Sequence, residues 1–321
     1  MKRLFLVLML ASFLQAQSKT GTAGTVFLKI PVVPRFAALG EAGVAIANDA
    51  SSVFLNPAGL AHVKSKALFT AYTNWVAATS IPAFSFAFPL KTGAVVALFS
   101  SGVQARDFVE SVMYEDGTIE FTGNTFDYNA GQLGLTFAQF LTDKFATGVS
   151  VKFLYEGFGG YSSAKGFALD AGTVFYTGLK SLRVAMSLQN LGPDMKPSGE
   201  YIHYVLQGSD IMKEKRTYRA YKLPLVFRIG VAADLMDSPV QKLTVVAEGI
   251  NANDTDERLA LGLEHTWNQM LNLRVGFLFN KDEGGASFGI GFHTNRFQLD
   301  YSFNDFGHLT DVHRIALNFN L

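Results

Sequence analysis

From residue 66 to the end of the chain, bulky apolar residues recur at every second position. That period of two restricts the region to β-strands with two unlike faces. Phe84, Phe86 and Phe88 alternate with Ala83, Ser85 and Ala87, and Phe145, Thr147, Val149, Val151, Phe153 and Tyr155 form a longer row. Leu259, Leu261 and Leu263 alternate with Gly262 and Glu264, and Leu271, Leu273, Val275, Phe277 and Phe279 with Asn272 and Arg274. Phe297, Leu299, Tyr301 and Phe303 alternate with Gln298, Asp300 and Ser302, and the chain closes on Ile315, Leu317, Phe319 and Leu321. The apolar set is the bulkier one throughout, and the other set is small, polar or charged. This is the apolar-out, polar-in order of a transmembrane β-barrel.

A soluble β-sandwich also alternates, so the connections decide between the two. Strands are predicted around Thr70, Ser85, Ala97, Leu133, Val149, Ala171, Ser187, Ile229, Val246, Leu261, Val275, Ile290, Leu299 and Leu317. The links after even-numbered strands are short: 89–93, 141–144, 177–181, 267–270 and 295–296. Those after odd-numbered strands are longer or more polar: 103–125, 157–166, 192–222, 251–257 and 304–311. Short turns at one rim and long loops at the other are the outer-membrane pattern. The expected fold is therefore an all-β barrel of about fourteen antiparallel strands with both ends on the short-turn, periplasmic side. A change of character near Ala130 predicts a bulge between the third and fourth strands. Trp75, Trp267, Tyr155, Tyr176 and Tyr301 fall near strand ends, where their amphipathic rings suit interfacial girdles.

The first residues, Met-Lys-Arg followed by an apolar run from Leu4 to Leu14 and then Gln15-Ala16-Gln17, describe a secretory signal peptide with cleavage near Ala16. Removing Lys2 and Arg3 from the 27 basic residues leaves 25 against 27 acidic ones, about −2, which offers no nucleic-acid surface. The chain has no Cys, which excludes disulfides and a lipidated N-terminus. Six scattered His and no Cys give no metal-ligand spacing, and no cofactor motif is present. Residues 35–63 break the alternation. They are rich in Ala and Gly, which favours short helices and close packing. The expected organisation is a signal peptide over 1–16, an N-terminal helical plug over 17–65 folded into the barrel, and the barrel over 66–321.

Four blocks then carry a resemblance: 24–30 (Gly-Thr-Val-Phe-Leu-Lys-Ile), 35–40 (Arg-Phe-Ala-Ala-Leu-Gly), Asn48-Asp49-Ala50, and Asn56-Pro57-Ala58-Gly59-Leu60. In combination they resemble the PorV/PorQ proteins, part of the wider superfamily of the fatty-acid transporter FadL, whose members share an Asn-Pro-Ala-Gly element. His313-Arg314-Ile315-Ala316-Leu317 is similar to the family's closing strand. The resemblance implies a fourteen-stranded barrel with its N-terminal segment inside and an outer-membrane location. It also implies a role in type IX protein secretion, with secreted proteins or secretion components as partners. The 192–222 loop departs from a minimal member of that family. The alternative is a FadL-like channel for hydrophobic small molecules, supported by the Phe-rich strands, since the chain holds 29 Phe, and by the Asn-Pro-Ala-Gly plug. Membrane lipid is a partner in either case.

Several candidate sites follow. Glu248, Arg258, Glu264, Arg274 and Asp300 are predicted to face the lumen, as a polar channel lining or, preferred here, as ion pairs filling a closed interior. Tyr201, Tyr204, Arg216 and Tyr218 make the long loop a candidate partner surface, because Tyr and Arg are enriched at protein contacts. The Asn56–Leu60 turn is either a functional contact or an anchor explained by turn chemistry. Gly285-Ala286-Ser287-Phe288-Gly289 fits G-x-S-x-G, but the Ser enters a strand where a nucleophile elbow leads into a helix. His293, Asp300 and Ser302 share one face of neighbouring strands, as polar residues do in any barrel. The expected protein is not an enzyme.

Overall fold

The computed structural model describes residues 21–321 except 78, 115, 208, 209 and 282, so the expected signal peptide lies outside the described residues. Fourteen strands close an antiparallel barrel. They are β1 (Ala67–Asn74), β2 (Ser80–Pro89), β3 (Val95–Met113), β4 (Ile119–Thr142), β5 (Phe145–Phe158), β6 (Ser162–Tyr176) and β7 (Arg183–Leu191). After a separate hairpin of β8 (Glu200–Gln207) and β9 (Asp210–Thr217), the wall continues with β10 (Val226–Asp237), β11 (Gln241–Ala252), β12 (Arg258–Trp267), β13 (Leu271–Phe279), β14 (Ala286–His293), β15 (Phe297–Asn304) and β16 (Val312–Asn320). β7 pairs directly with β10, and β16 returns to β1 in a register running from Ala67↔Asn320 to Asn74↔His313. Every predicted strand centre lies inside one of the fourteen wall strands.

Alternation decides which side each residue faces. On β5, Ala146, Ser150, Lys152, Leu154 and Glu156 are buried, while Val149, Val151, Phe153 and Tyr155 are exposed on the outside. On β13, Asn272, Arg274 and Leu278 point in, and Leu273, Val275, Phe277 and Phe279 point out. A closed sheet leaves no unpaired edge, and an apolar exterior has no use in water. The chain is a transmembrane β-barrel of outer-membrane type.

Three expectations need correction. Ala130 sits in unbroken register against both Val103 and Glu156; the β3–β4 irregularities fall between Ala105 and Phe108 and between Val109 and Ser111. The change of character at Ala130 marks the point where β4 leaves the apolar belt, not a bulge there. The expected 103–125 loop is largely strand: β3 runs on past Gln104, its last residue paired with β2 (to Ser80), as far as Met113. Those nine residues form a ribbon projecting about 30 Å along its strand direction. Finally, Trp267, Tyr155 and Tyr301 face outward, but Trp75 and Tyr176 do not. Trp75 stacks edge-on against Phe306 at 5.0 Å, and the Tyr176 hydroxyl meets His62 Nε2 at 2.8 Å.

Residues 26–62 carry four short helical turns, at Val26–Lys29, Pro34–Ala37, Ala50–Phe54 and Pro57–His62. Asp49 caps the third, accepting the Ser51 N–H at 2.8 Å, while Ser52 Oγ accepts the Asp49 N–H at 3.1 Å. Pro at the first helical position suits the second and fourth, since its missing N–H would be unpaired there. This segment runs through the lumen and is bonded to the wall all round. Ser85 donates to the Ala50 carbonyl, Ser187 to Leu55 and Asn304 Nδ2 to Ala37, while Arg314 Nε donates to Pro31. Glycine permits the closest approaches. A Cβ on Gly276 would overlap the Leu39–Gly40 backbone, and one on Gly148 would overlap that of Pro57–Ala58.

Candidate functional site

The interior divides into three levels. At the long-loop rim a cleft of about 580 Å³ is lined by Phe126, Phe158, Tyr161, Tyr218, Tyr221 and Pro197, with residues 21–24 along one side. Its apolar character comes from strand extensions above the membrane belt, where the inner face carries aromatics. Phe126 stacks on Phe108 at 5.6 Å and meets Tyr161 edge-on at 6.0 Å. The charged group at its base, Glu156, is buried and engaged. Tyr128 OH donates to Oε1 at 2.7 Å, and Tyr221 OH donates to Oε2. Burial, and then the bond to this carboxylate, raise the Tyr221 pKa, so that phenol remains a neutral donor.

The middle level is filled. Its residual void beside Phe36, Glu41 and Arg228 is only about 30 Å³. Two ion-pair networks hold the N-terminal segment there. In the first, Arg35 grips Glu264 with two bonds, Nε at 2.9 Å and Nη2 at 2.8 Å. Glu264 also accepts Arg274 Nε at 2.7 Å, and Arg274 Nη1 reaches Asp300 at 2.5 Å. In the second, Glu248 accepts the Gly43 and Val44 N–H groups at 2.7 and 2.9 Å and pairs with Arg228 at 2.9 Å. Arg228 and Arg258 both approach Glu41, at 3.8 and 3.7 Å. The five lumen candidates thus fall into two groups, Glu264, Arg274 and Asp300 in one and Glu248 and Arg258 in the other. Each group is joined to the N-terminal segment and fills the interior.

Sequence reasoning passed over the partners that complete these groups. Arg228 lies between the outward Phe227 and Ile229, and Arg314 precedes the outward Ile315, so period two would have flagged both. Arg314 is fully buried, bonded to Pro31 and Asn304 and set 5.6 Å from the Trp75 ring. Arg35 and Glu41 lie in helical turns and connecting chain, where no such period exists.

At the short-turn rim lies a third space, of about 690 Å³, with a polar lining that includes Asn48, Asn272, His293, Gln298 and Asn318. Asn56 Nδ2 donates to the Val44 and Thr173 carbonyls at 2.9 and 3.2 Å, and its Oδ1 accepts the Ala58 N–H at 3.1 Å. Pro57 and Ala58 pack on Gly148, Gly59 lies against the Ala47 carbonyl, and Leu60 is fully buried. The Asn56–Leu60 element therefore fastens the segment to β5 and β6. Tyr201 and Tyr204 stand on β8 and Arg216 on β9, with Tyr218 just beyond. Tyr201 packs on Tyr218 at 5.2 Å, and Tyr204 meets Tyr114 of the β3–β4 turn at 5.5 Å. Ser287 lies within β14 and donates to the Gly276 carbonyl at 3.3 Å. His293 Nε2 lies 3.5 Å from Asp300, and Ser302 Oγ has no hydrogen-bond partner, so no Ser–His contact exists there. Among the described residues no cluster of His, Asp and Glu could hold a metal ion.

The fold of this closed fourteen-strand barrel is similar to that of solved outer-membrane transport proteins, which match the chain over most of their lengths. The toluene transporter TbuX of Ralstonia pickettii aligns with a TM-score of 0.62 at 12% identity, over 90% of this chain and 98% of that one. The monoaromatic hydrocarbon channel CymD gives 0.58 at 12%, over 90% and 97%. A FadL homologue of Pseudomonas aeruginosa gives 0.54 at 10%, over 91% and 99%. No protein-family model and no curated protein sequence matches. At such identities the likeness is one of fold. The narrower PorV/PorQ resemblance rests on the sequence blocks alone.

Proposed function

We propose that this protein is a non-catalytic channel of the bacterial outer membrane for hydrophobic small molecules. The observation that carries this reading is the aromatic cleft at the long-loop rim, whose volume of about 580 Å³ falls in the range of small-ligand sites. Its one buried carboxylate, Glu156, has its acceptors satisfied by two tyrosine hydroxyls, which lowers the cost of placing an apolar guest beside it. The neighbouring structures are a toluene transporter and a hydrocarbon channel, which favours this reading over secretion. The filled middle level means that passage requires the N-terminal segment to rearrange. The test is uptake of radiolabelled toluene by cells expressing the barrel. The Phe126→Asp, Phe158→Asp double variant is expected to cut the rate severalfold while leaving folded barrel in the membrane; equal rates would remove the cleft from the account.

One observation favours the secretion-associated alternative. The β8–β9 hairpin and the β3–β4 ribbon project beyond the barrel and touch through Tyr114 and Tyr204, presenting Tyr201 and Arg216 to solvent. Such a surface suits a protein partner. Deleting residues 200–217 separates the two readings: a channel keeps its uptake, whereas a secretion component loses its partners.

A further inference from the structure

We infer that the cavity at the short-turn rim is a second binding site, for a neutral, hydroxyl-rich ligand of saccharide type. Its volume, about 690 Å³, exceeds that of the aromatic cleft, and its lining is of the opposite chemistry. Five consecutive wall strands contribute inward side chains at this level: Thr266 from β12, Asn272 from β13, His293 from β14, Gln298 from β15 and Asn318 from β16. Gln269, Asn295 and Asn320 continue the amide surface onto the rim.

The charged groups nearby are mostly committed elsewhere. Arg35 and Glu264 hold each other, Lys242 pairs with Asp234 at 3.1 Å, and Asp49 caps its own helical turn. Lys64 and Asp237 also line it, both exposed to solvent, and the rest of the lining is largely amides and hydroxyls, each able to donate and accept. Two of them are deeply buried with hydrogen-bonding capacity unspent. Asn272 is 2% exposed, and its Nδ2 has no partner although Oδ1 accepts from Thr266; Asn318 is 7% exposed, and its Oδ1 has none. A buried amide atom without a partner is costly, and a ligand that supplies the missing bond recovers that cost. An apolar guest cannot do so, and an anion or cation would meet no free counter-charge at Asn272 and Asn318. A ring bearing several hydroxyls matches a wall of paired donors and acceptors.

The site is separate from the aromatic cleft, so its test does not depend on apolar transport. The barrel is purified in a zwitterionic detergent, because maltoside headgroups would compete, and titrated calorimetrically with chitotriose and maltotriose. Saturable binding of either trisaccharide is expected, weakened at least about tenfold by the rim substitutions Gln269→Ala, Asn295→Ala and Asn320→Ala together. These positions are exposed, so the barrel should fold, which heat-modifiable gel migration checks. Co-sedimentation with purified cell-wall sacculi distinguishes sources. Pelleting that chitotriose competes away places the ligand in the wall glycan, while trisaccharide binding without pelleting places it among free oligosaccharides. Absence of binding by both sugars, or binding unchanged in the triple variant, would overturn the inference.

Discussion

The two ends of the lumen draw on different wall strands and carry opposite chemistry. Above the membrane belt, β3 to β6 extend as ribbons whose inner faces hold Phe126, Phe158 and Tyr128. At the short-turn rim, β12 to β16 line their cavity with Asn, Gln and Thr. Between them the N-terminal segment and two ion-pair networks fill the bore. The contrast describes a barrel with two vestibules divided by a charge-locked partition, and under the proposed reading each takes a different class of molecule. An open aqueous pore would need neither the partition nor the difference.

The partition is the place to break this division. Arg274→Leu strips Glu264 and Asp300 of a shared partner and leaves buried carboxylates under-compensated, a loss of about 3–5 kcal/mol. Urea unfolding of the refolded barrel should show it, together with new protease sensitivity in residues 34–63. Gly276→Ala acts on the same partition by steric means, since its Cβ has no space beside Gly40. It should cost about 1–3 kcal/mol and convert a silent planar bilayer into a conducting one. A silent variant with unchanged stability would mean the segment yields without opening the bore.

The aromatic vestibule is sharpened by Tyr221→Phe, which leaves Glu156 Oε2 without the donor it now has. The expected cost to apolar binding is about 1–2 kcal/mol, seen as a roughly tenfold weaker dissociation constant for a naphthalene probe. The smallest effect lies at the other rim. His62 is pushed below the usual histidine range by burial and then by the nearby Arg183 and Lys64 charges. Because its folded pKa lies below its unfolded one, the native state binds fewer protons than the unfolded state as pH falls through about 6.5, and stability should decline there. The unfolding midpoint at pH 5.5 should fall below that at pH 7.5, and His62→Asn should reduce the difference.

Period two made the strands legible because a barrel wall meets lipid on one side and a packed interior on the other. It placed Glu248, Glu264, Arg274 and Asp300 on the inner face for the same reason. It could not pair them, since their partners Arg35 and Glu41 belong to a helical turn and the connecting chain after it, with no strand period. Nor could it see the ribbons beyond the belt: residues 105–127 lose the apolar-out pattern once both faces meet water, and so they resembled a loop. Trp75 and Tyr176 were misplaced by composition, because an aromatic near a strand end suits a girdle or a lumen contact equally well. A plugged bore was legible in the small-residue segment 35–63, but its contacts were not, since glycine at 148 and 276 reads as ordinary until a second backbone is laid against it.

Mass spectrometry of whatever co-elutes with the barrel, purified from native membranes in a gentle detergent, tests the central claim most directly. The account predicts apolar small molecules in near-stoichiometric amounts, lost in the Phe126→Asp, Phe158→Asp variant. Exported proteins sharing a C-terminal domain, with no apolar molecule bound, would contradict it and return the projecting hairpins to the centre of the protein's function.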